Sequence, residues 1–122
     1  MAQHYKDLIA WQKAMDLIDL IYHMTDKFPK REVYSLTDQI RRAAVSIPSN
    51  IAEGQGHFNN GEFVHFLRHA RGSLAELETQ VLIAQRQKYV EDGECVDLIK
   101  RIEELGRILN GLTNAIRGTK AS

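Results

Sequence analysis

Apolar residues recur every three or four positions along most of the chain, which is the spacing of one face of an α-helix. Short segments rich in glycine, proline, asparagine or charged residues separate four such runs. The pattern predicts helices at about residues 7–27, 34–55, 60–89 and 93–117. No segment shows the alternation of a β-strand, and no repeat of fixed period occurs in the sequence.

The first run is apolar over about half of its helical surface. Its apolar residues are Leu8, Trp11, Met15, Ile18 and Tyr22, widened by Leu17, Leu20, Ile21 and Met24. A stripe this wide predicts contact with two neighbours, one inside the bundle and one outside it. Trp11 itself is expected to pack in the core. The run ends at Phe28-Pro29, because the residue before a proline is held out of the α region.

The second run contains a proline but keeps its helical period. Its apolar positions are Leu36, Ile40, Ala43, Ala44, Ile47 and Ile51. Pro48 removes one backbone donor, yet the spacing continues in phase from Ile47 to Ile51. We therefore expect one helix that is kinked at Pro48.

The last two runs have the cleanest period. Asn60 is expected to cap the third helix, with Glu62 in its favourable first turn. Apolar positions in the two helices are Phe63, Phe66, Leu67, Ala70, Leu74, Leu77, Val81 and Ala84, then Val96, Ile99, Ile102, Leu105, Leu109, Leu112 and Ile116. Amphipathic helices joined by short connections pack as antiparallel neighbours. The sequence thus predicts an all-α protein, an antiparallel up-down four-helix bundle forming a single domain over residues 1–122.

Composition restricts the classes of function. The 122 residues carry 16 basic and 16 acidic side chains, for a formal net charge of zero. Such a chain lacks the overall positive field that drives non-specific nucleic-acid binding, so RNA or DNA binding would need a local basic patch. Cys95 is the only cysteine, which excludes an intrachain disulfide. With neither a signal-like core nor a membrane-length apolar segment in the sequence, the cytoplasm is the expected location.

Polar residues form a row on each of the two middle helices. The candidate network consists of Gln39, Arg42, Ser46, Asn50 and Glu53 on the second helix, and His69, Ser73 and Glu76 on the third. One interpretation is a hydrogen-bonded network between the helices that fixes their register, with Arg42 near Glu76. The other is a ligand- or RNA-facing groove lined by Arg41, Arg42, His65, Arg68, His69 and Arg71.

No set of residues in the sequence predicts catalysis. Glu62 and His65 match one Glu-x-x-His element, but carboxylate-bridged dimetal bundles need two such elements and two further glutamates. His65 and His69, four apart, supply only two ligands to a metal ion. Cys95 lies beside Glu94 and Asp97, which would raise the pKa of its thiol. We therefore expect no enzyme activity, no catalytic residues, no cofactor and no metal site.

Several stretches together match a known family. They are KDLIAWQKA at 6–14, EVYSL at 32–36 behind Phe28-Pro29, QIRRAAVSIPSNIAEG at 39–54, and the series Glu62-Phe63, Phe66-Leu67, Ala70, Ser73 and Glu76-Leu77-Glu78. Over roughly residues 5–90 the chain resembles the four-helix-bundle family of 23S rRNA-intervening-sequence proteins, and its final helix agrees in pattern. The resemblance implies an antiparallel bundle that forms a homo-oligomer, with five subunits as the expected form.

The resemblance also suggests a class of partner. The family is named after reading frames within insertions in large-subunit ribosomal RNA genes of some bacteria. Related bundle proteins accompany reverse transcriptases of diversity-generating retroelements as nucleic-acid-binding accessory subunits. One hypothesis is therefore an RNA- or DNA-binding accessory protein whose candidate contacts are Arg41, Arg42, Arg68, Arg71, Arg86 and Lys88. The alternative is a structural or protein-interaction scaffold with no nucleic-acid role, which uses the apolar stripe of the first helix as a subunit interface.

Overall fold

The computed structural model describes residues 4–120, and this part of the chain is almost entirely helical. The long helices are α1 (Ile9–Thr25), α2 (Leu36–Gly56), α3 (Asn60–Arg86) and α4 (Asp92–Lys120), with short 3-10 turns at Tyr5–Asp7 and Lys30–Glu32. No strand occurs within the described residues. The four long helices confirm the predicted all-α class, and their ends lie within three residues of the predicted bounds.

The helices pack in sequence order around a ring. Each contacts the next one along the chain, and α4 returns to contact α1. The diagonal pairs α1–α3 and α2–α4 make no close backbone contact within residues 4–120, while α2 and α3 share the most extensive contact. Short connections between neighbours give the up-down arrangement of a four-helix bundle. None of the described helices is both long and apolar enough to span a membrane.

The core of α1 uses part of the stripe that the sequence suggested and adds two alanines to it. Its buried apolar residues are Ala10, Ala14, Leu17, Ile21 and Met24. Small alanines at two of these positions let the neighbouring helices approach closely. The row predicted first lies on one flank of this face: Trp11 and Ile18 are half-buried, whereas Met15 and Tyr22 are exposed. Trp11 packs against the core and makes an edge-on contact with Tyr5, with ring centroids 5.4 Å apart.

Helix α2 runs without interruption through the buried Pro48. Side chains on either side of the proline donate to carbonyls of the same helix. Ser46 Oγ donates to the Ala43 carbonyl at 2.8 Å, and Ser49 Oγ donates to the Val45 carbonyl at 2.9 Å. These bonds flank the Ala44 carbonyl, the acceptor that an N–H at position 48 would serve in a regular helix, and neither of them reaches it. Continuity of the helix is as predicted, and the kink at Pro48 stays a prediction.

Polar contacts join the two connections at one end of the bundle. Tyr89 Oη, from the α3–α4 connection, donates to Glu32 Oε2 at 2.9 Å. Lys27 Nζ pairs with Glu94 Oε1 at 3.1 Å. At the other end, the N-cap of α3 is Asn59 rather than the predicted Asn60, since Asn59 Oδ1 accepts from the Glu62 backbone N–H at 2.9 Å. The N-cap of α3 is therefore one residue earlier in the sequence than predicted.

Helices α2 and α3 approach most tightly at the buried Gly54. A Cβ placed on Gly54 would lie 2.8 Å from Phe66 Cβ and 3.3 Å from the Phe63 carbonyl oxygen. Neither atom is the free end of a flexible side chain, so the helices would have to move apart. Gly54 therefore fixes the distance between α2 and α3 next to the turn that joins them.

We expect Gly54→Ala to lower the free energy of unfolding by about 1–3 kcal/mol, because the added methyl group overpacks the interface. Gly72→Ala is the matched control: Gly72 is also helical, and a Cβ there meets nothing within 4 Å. This control should raise the free energy of unfolding by about 0.5–1 kcal/mol. Urea denaturation followed by circular dichroism measures both. Equal stability of the Gly54→Ala variant and the wild type would contradict the proposed steric constraint.

Candidate functional site

A polar cleft lies between α3 and the last part of α4. It has a volume of about 410 Å³ and is lined by Arg68, Arg71, Asn110, Thr113, Asn114 and Arg117, which we call the arginine cleft. Arg68 and Arg71 are three apart on α3, while Asn110, Asn114 and Arg117 are spaced four and three apart on α4. Each row therefore projects from one face of its helix, and antiparallel packing brings the two rows together.

The arginine cleft concentrates positive charge in a chain whose formal net charge is zero. None of its lining residues is acidic. Within the described part of the chain, Arg68, Arg71 and Arg117 form neither an ion pair nor a side-chain hydrogen bond. Three guanidinium groups thus keep their donors available, and an arginine presents a planar fork that matches the oxygens of a phosphate.

The cleft continues into two further depressions towards the α2–α3 turn. The first, of about 240 Å³, shares Arg68 and Arg117 with the cleft and adds the start of α3 at Asn60 and Gly61. The second, of about 380 Å³, is mainly apolar and is lined by Leu8, Gln55, Phe58, Asn59, Asn60, Phe63, Leu112 and Ile116. Adjacent depressions share lining residues, and we call this row of three depressions the furrow.

Arg41, one of the predicted contacts, is occupied by interactions inside the molecule. Its Nε donates to Thr25 Oγ1 at 2.8 Å, and its Nη2 pairs with Asp26 Oδ1 at 2.9 Å. The guanidinium also lies over the ring of Tyr22, 4.4 Å from the centroid. These contacts connect α2 to the end of α1. Arg41 therefore helps α2 pack against α1, and these contacts leave fewer of its N–H donors for a ligand.

Arg42, Arg86 and Lys88 are exposed and do not line the arginine cleft. Arg86 follows Arg71 by fifteen residues on α3, which corresponds to about 22 Å along the helix. Arg42 lies on α2 and pairs with Asp38 at 3.0 Å. The structure therefore brings Arg68 and Arg71 together in one cleft, and the other four predicted contacts do not line it.

The predicted polar network forms its bonds within single helices. Arg42 pairs with Asp38, and Asn50 Nδ2 donates to the Ser46 carbonyl at 2.7 Å. Glu53 lies 3.8 Å from His57, four residues further along the chain. Gln39 and Glu76 are exposed, and Ser73 is half-buried. Arg42 and Glu76 form no ion pair in the described structure, so these bonds do not link α2 to α3.

The aromatic rings of three histidines and Phe66 cluster on the flank of α3 that is turned away from Arg71. His57 stacks on Phe66 with centroids 5.2 Å apart, and His65 meets His69 edge-on at 4.6 Å. His65 and His69 share a shallow depression with Arg68 and Glu76, among others. The described residues contain no group of three or more His, Cys, Asp or Glu side chains that could hold a metal ion. The cluster is an aromatic surface rather than a metal centre.

Cys95 is buried at the start of α4. Burial raises the pKa of its thiol, and the nearby Asp92 carboxylate raises it further. The direction agrees with the expectation from the sequence, although the causes are burial and Asp92 rather than Glu94 and Asp97. A buried, protonated thiol is a poor nucleophile.

Sequence reasoning missed the contribution of α4 to the cleft. The predicted contacts did not include Asn110 and Asn114, which carry no charge, or Arg117, which is distant in sequence from the other arginines. Their spacing of four and three, continued backwards by Arg107, is a polar row on one helical face and was the available signal. The spacing alone does not predict the register between α3 and α4, which places this row next to Arg68 and Arg71.

Comparisons with known proteins identify relatives of the chain. A family model described as 23S rRNA-intervening sequence protein matches residues 6–111. No curated protein matches the chain. The crystal structure of a protein with unknown function from the S23 ribosomal protein family of Bacteroides thetaiotaomicron VPI-5482 is similar, with a TM-score of 0.79 and 18% sequence identity. The match covers 86% of this chain and 98% of that chain, and at this identity the likeness extends to the fold alone.

Proposed function

Because the chain belongs to the 23S rRNA-intervening sequence protein family, we propose that it is a non-enzymatic, oligomeric bundle that binds nucleic acid through the arginine cleft. One observation carries the proposal: three arginines without partners share a cleft with two asparagines and no acidic side chain. Phosphate groups are the ligands that such a set of donors fits best.

The two kinds of side chain in the cleft have different roles in this proposal. Arg68, Arg71 and Arg117 neutralise phosphates and release the counterions held by the nucleic acid, which supplies most of the affinity. Asn110 and Asn114 offer amide groups that both donate and accept, so they can contact a sugar or a base edge. The cleft carries three positive charges in a chain of net charge zero, so the remaining residues are acidic on balance and favour phosphate binding at this cleft.

Assembly of several copies would multiply these clefts. We propose a homo-oligomer, with a ring of five subunits as the expected form, in which separate clefts bind one nucleic acid. Linked sites of this kind gain affinity because the second contact becomes intramolecular. A chain without net charge also associates more readily than a strongly charged one.

The alternative function is a scaffold for another protein, and one surface favours it. Met15 and Tyr22 on α1 and Val45 on α2 are large, exposed apolar residues. Together with the half-buried Trp11 and Ile18, they extend along the surface where α1 and α2 pack as neighbours. Clustered exposed apolar residues are typical of protein interfaces. This face would serve subunit contact in the first function and partner contact in the second.

The test of nucleic-acid binding is a salt series with a matched pair of triple variants. Replacing Arg68, Arg71 and Arg117 by Gln removes three charges from the cleft. Each phosphate contact contributes about 0.7 to the slope of log K against log salt for single strands, so we expect the slope to fall by about 2 per protomer. Fluorescence anisotropy with a labelled structured RNA measures the slope.

The control for this test replaces Arg42, Arg86 and Lys88 by Gln, which removes the same charge outside the arginine cleft. This variant should keep the wild-type slope and most of the affinity. Equal losses in the two variants would mean that charge alone matters and would overturn the role of the cleft. Absence of binding by the wild type at low salt would leave the scaffold function.

The apolar face has a separate test. We expect the double variant Met15→Glu and Val45→Glu to lower the mass of the oligomer in sedimentation, because each carboxylate would be buried without a partner in the interface. Leu82→Glu, an exposed apolar residue on α3, is the control and should leave the mass unchanged. Circular dichroism checks that both variants remain helical. An unchanged mass in the double variant would show that this face does not join subunits.

A further inference from the structure

Phe58 holds an unusual position at the end of the furrow. It lies in the α2–α3 connection, 74% of its surface is exposed, and its backbone φ is 54°. The residue directly after a helix C-cap is often left-handed, and glycine is preferred there because a Cβ is costly in this conformation. A large aromatic residue at this site is unfavourable in two ways: its ring is not buried, and its backbone is in a conformation that is costly for a residue with a Cβ. Strain of this kind is kept where the surrounding structure holds it, and it is frequent at functional sites.

The turn on both sides of Phe58 constrains its backbone. The Phe58 backbone N–H donates to the Gln55 carbonyl at 3.3 Å, and the next residue, Asn59, caps α3 through its side chain. The contact between Gly54 and Phe66 fixes the two helices immediately before and after the turn. Phe58 is therefore displayed by a constrained segment rather than by a loose loop.

The furrow joins this exposed ring to the unpaired arginines. Phe58 and Asn60 line the apolar depression, Asn60 and Arg68 line the middle one, and Arg68 and Arg71 line the arginine cleft. No acidic residue lines these three depressions. Glu62 and Glu76 lie on the helical face of His65 and His69, which is turned away from Arg71, while Arg68 borders both the furrow and the shallow depression that contains Glu76. The furrow thus offers an aromatic face at one end and phosphate donors at the other.

We propose that the furrow binds single-stranded RNA, with phosphates on Arg68, Arg71 and Arg117 and an unpaired base stacked on Phe58. This inference rests on the proposed function and adds the form of the nucleic acid to it. Proteins that bind single strands combine a basic groove with aromatic side chains on which bases stack. A base inside a duplex has both faces covered and cannot stack on Phe58. The furrow between neighbouring helices, whose axes lie about 8–10 Å apart, also suits one strand better than two.

The experiment compares Phe58→Gly with the wild type on two probes: a labelled single-stranded RNA of about 12 nucleotides and a duplex of the same sequence. Glycine suits the left-handed backbone, so this variant should be at least as stable as the wild type. We expect its affinity for the single strand to fall about tenfold and its affinity for the duplex to stay unchanged, since one stacked base is lost. Phe58→Tyr keeps an aromatic face and should restore single-strand binding.

A third probe is the same strand with abasic sites in place of its nucleotides. It keeps the phosphates but has no base to stack, so the wild type and Phe58→Gly should bind it equally. Equal loss of affinity on all three probes, or no loss on the single strand, would overturn the stacking role. Loss of binding that accompanies a lower oligomer mass would also overturn it. If the cleft variants show that the arginines bind RNA while Phe58→Gly has no effect, only the single-strand inference fails.

Discussion

The close approach of α2 and α3 at Gly54 is the constraint on which the proposed site depends. With no side chain at this position, the helices pack against each other immediately before the turn, and the backbone of Phe63 and the Cβ of Phe66 occupy the available space. A side chain at this position would force the two helices apart. Gly54 therefore limits how α2 and α3 can be spaced next to the turn that carries Phe58 and the Asn59 cap.

Much of the fold could be predicted from the sequence because helical period and turn composition are local properties. Residues such as Ile40, Ile47 and Ile51 fall in the core where their spacing put them. The face of α1 was harder, since apolar residues cover about half of that helix and only tertiary packing selects Ala10, Ala14 and Leu17 as buried. Within the proposed site, charge alone singles out Arg68 and Arg71 in the sequence, and their contact with nucleic acid stays a prediction. Arg117 and its asparagines needed the register between two helices distant in sequence.

Local and overall charge lead to different conclusions in this protein. A formal net charge of zero argues against long-range attraction to nucleic acid, yet most charged groups that balance the total lie away from the arginine cleft. Arg41 and Arg42 have acidic partners, at Asp26 and Asp38, and contribute to packing or to a solvated surface. Arg68, Arg71 and Arg117 have none in the described chain. The surface that can accept phosphates is therefore identified by which arginines lack an acidic partner, and not by how many arginines the chain has.

The central proposal is that nucleic acid occupies the furrow. Photo-crosslinking of the protein to a 4-thiouridine-labelled RNA, followed by mass spectrometry of the peptides, tests it most directly. Binding in the furrow predicts crosslinks at Phe58 and within residues 60–71 and 110–117. Crosslinks confined to the peptides that carry Arg42, Arg86 and Lys88 would contradict it.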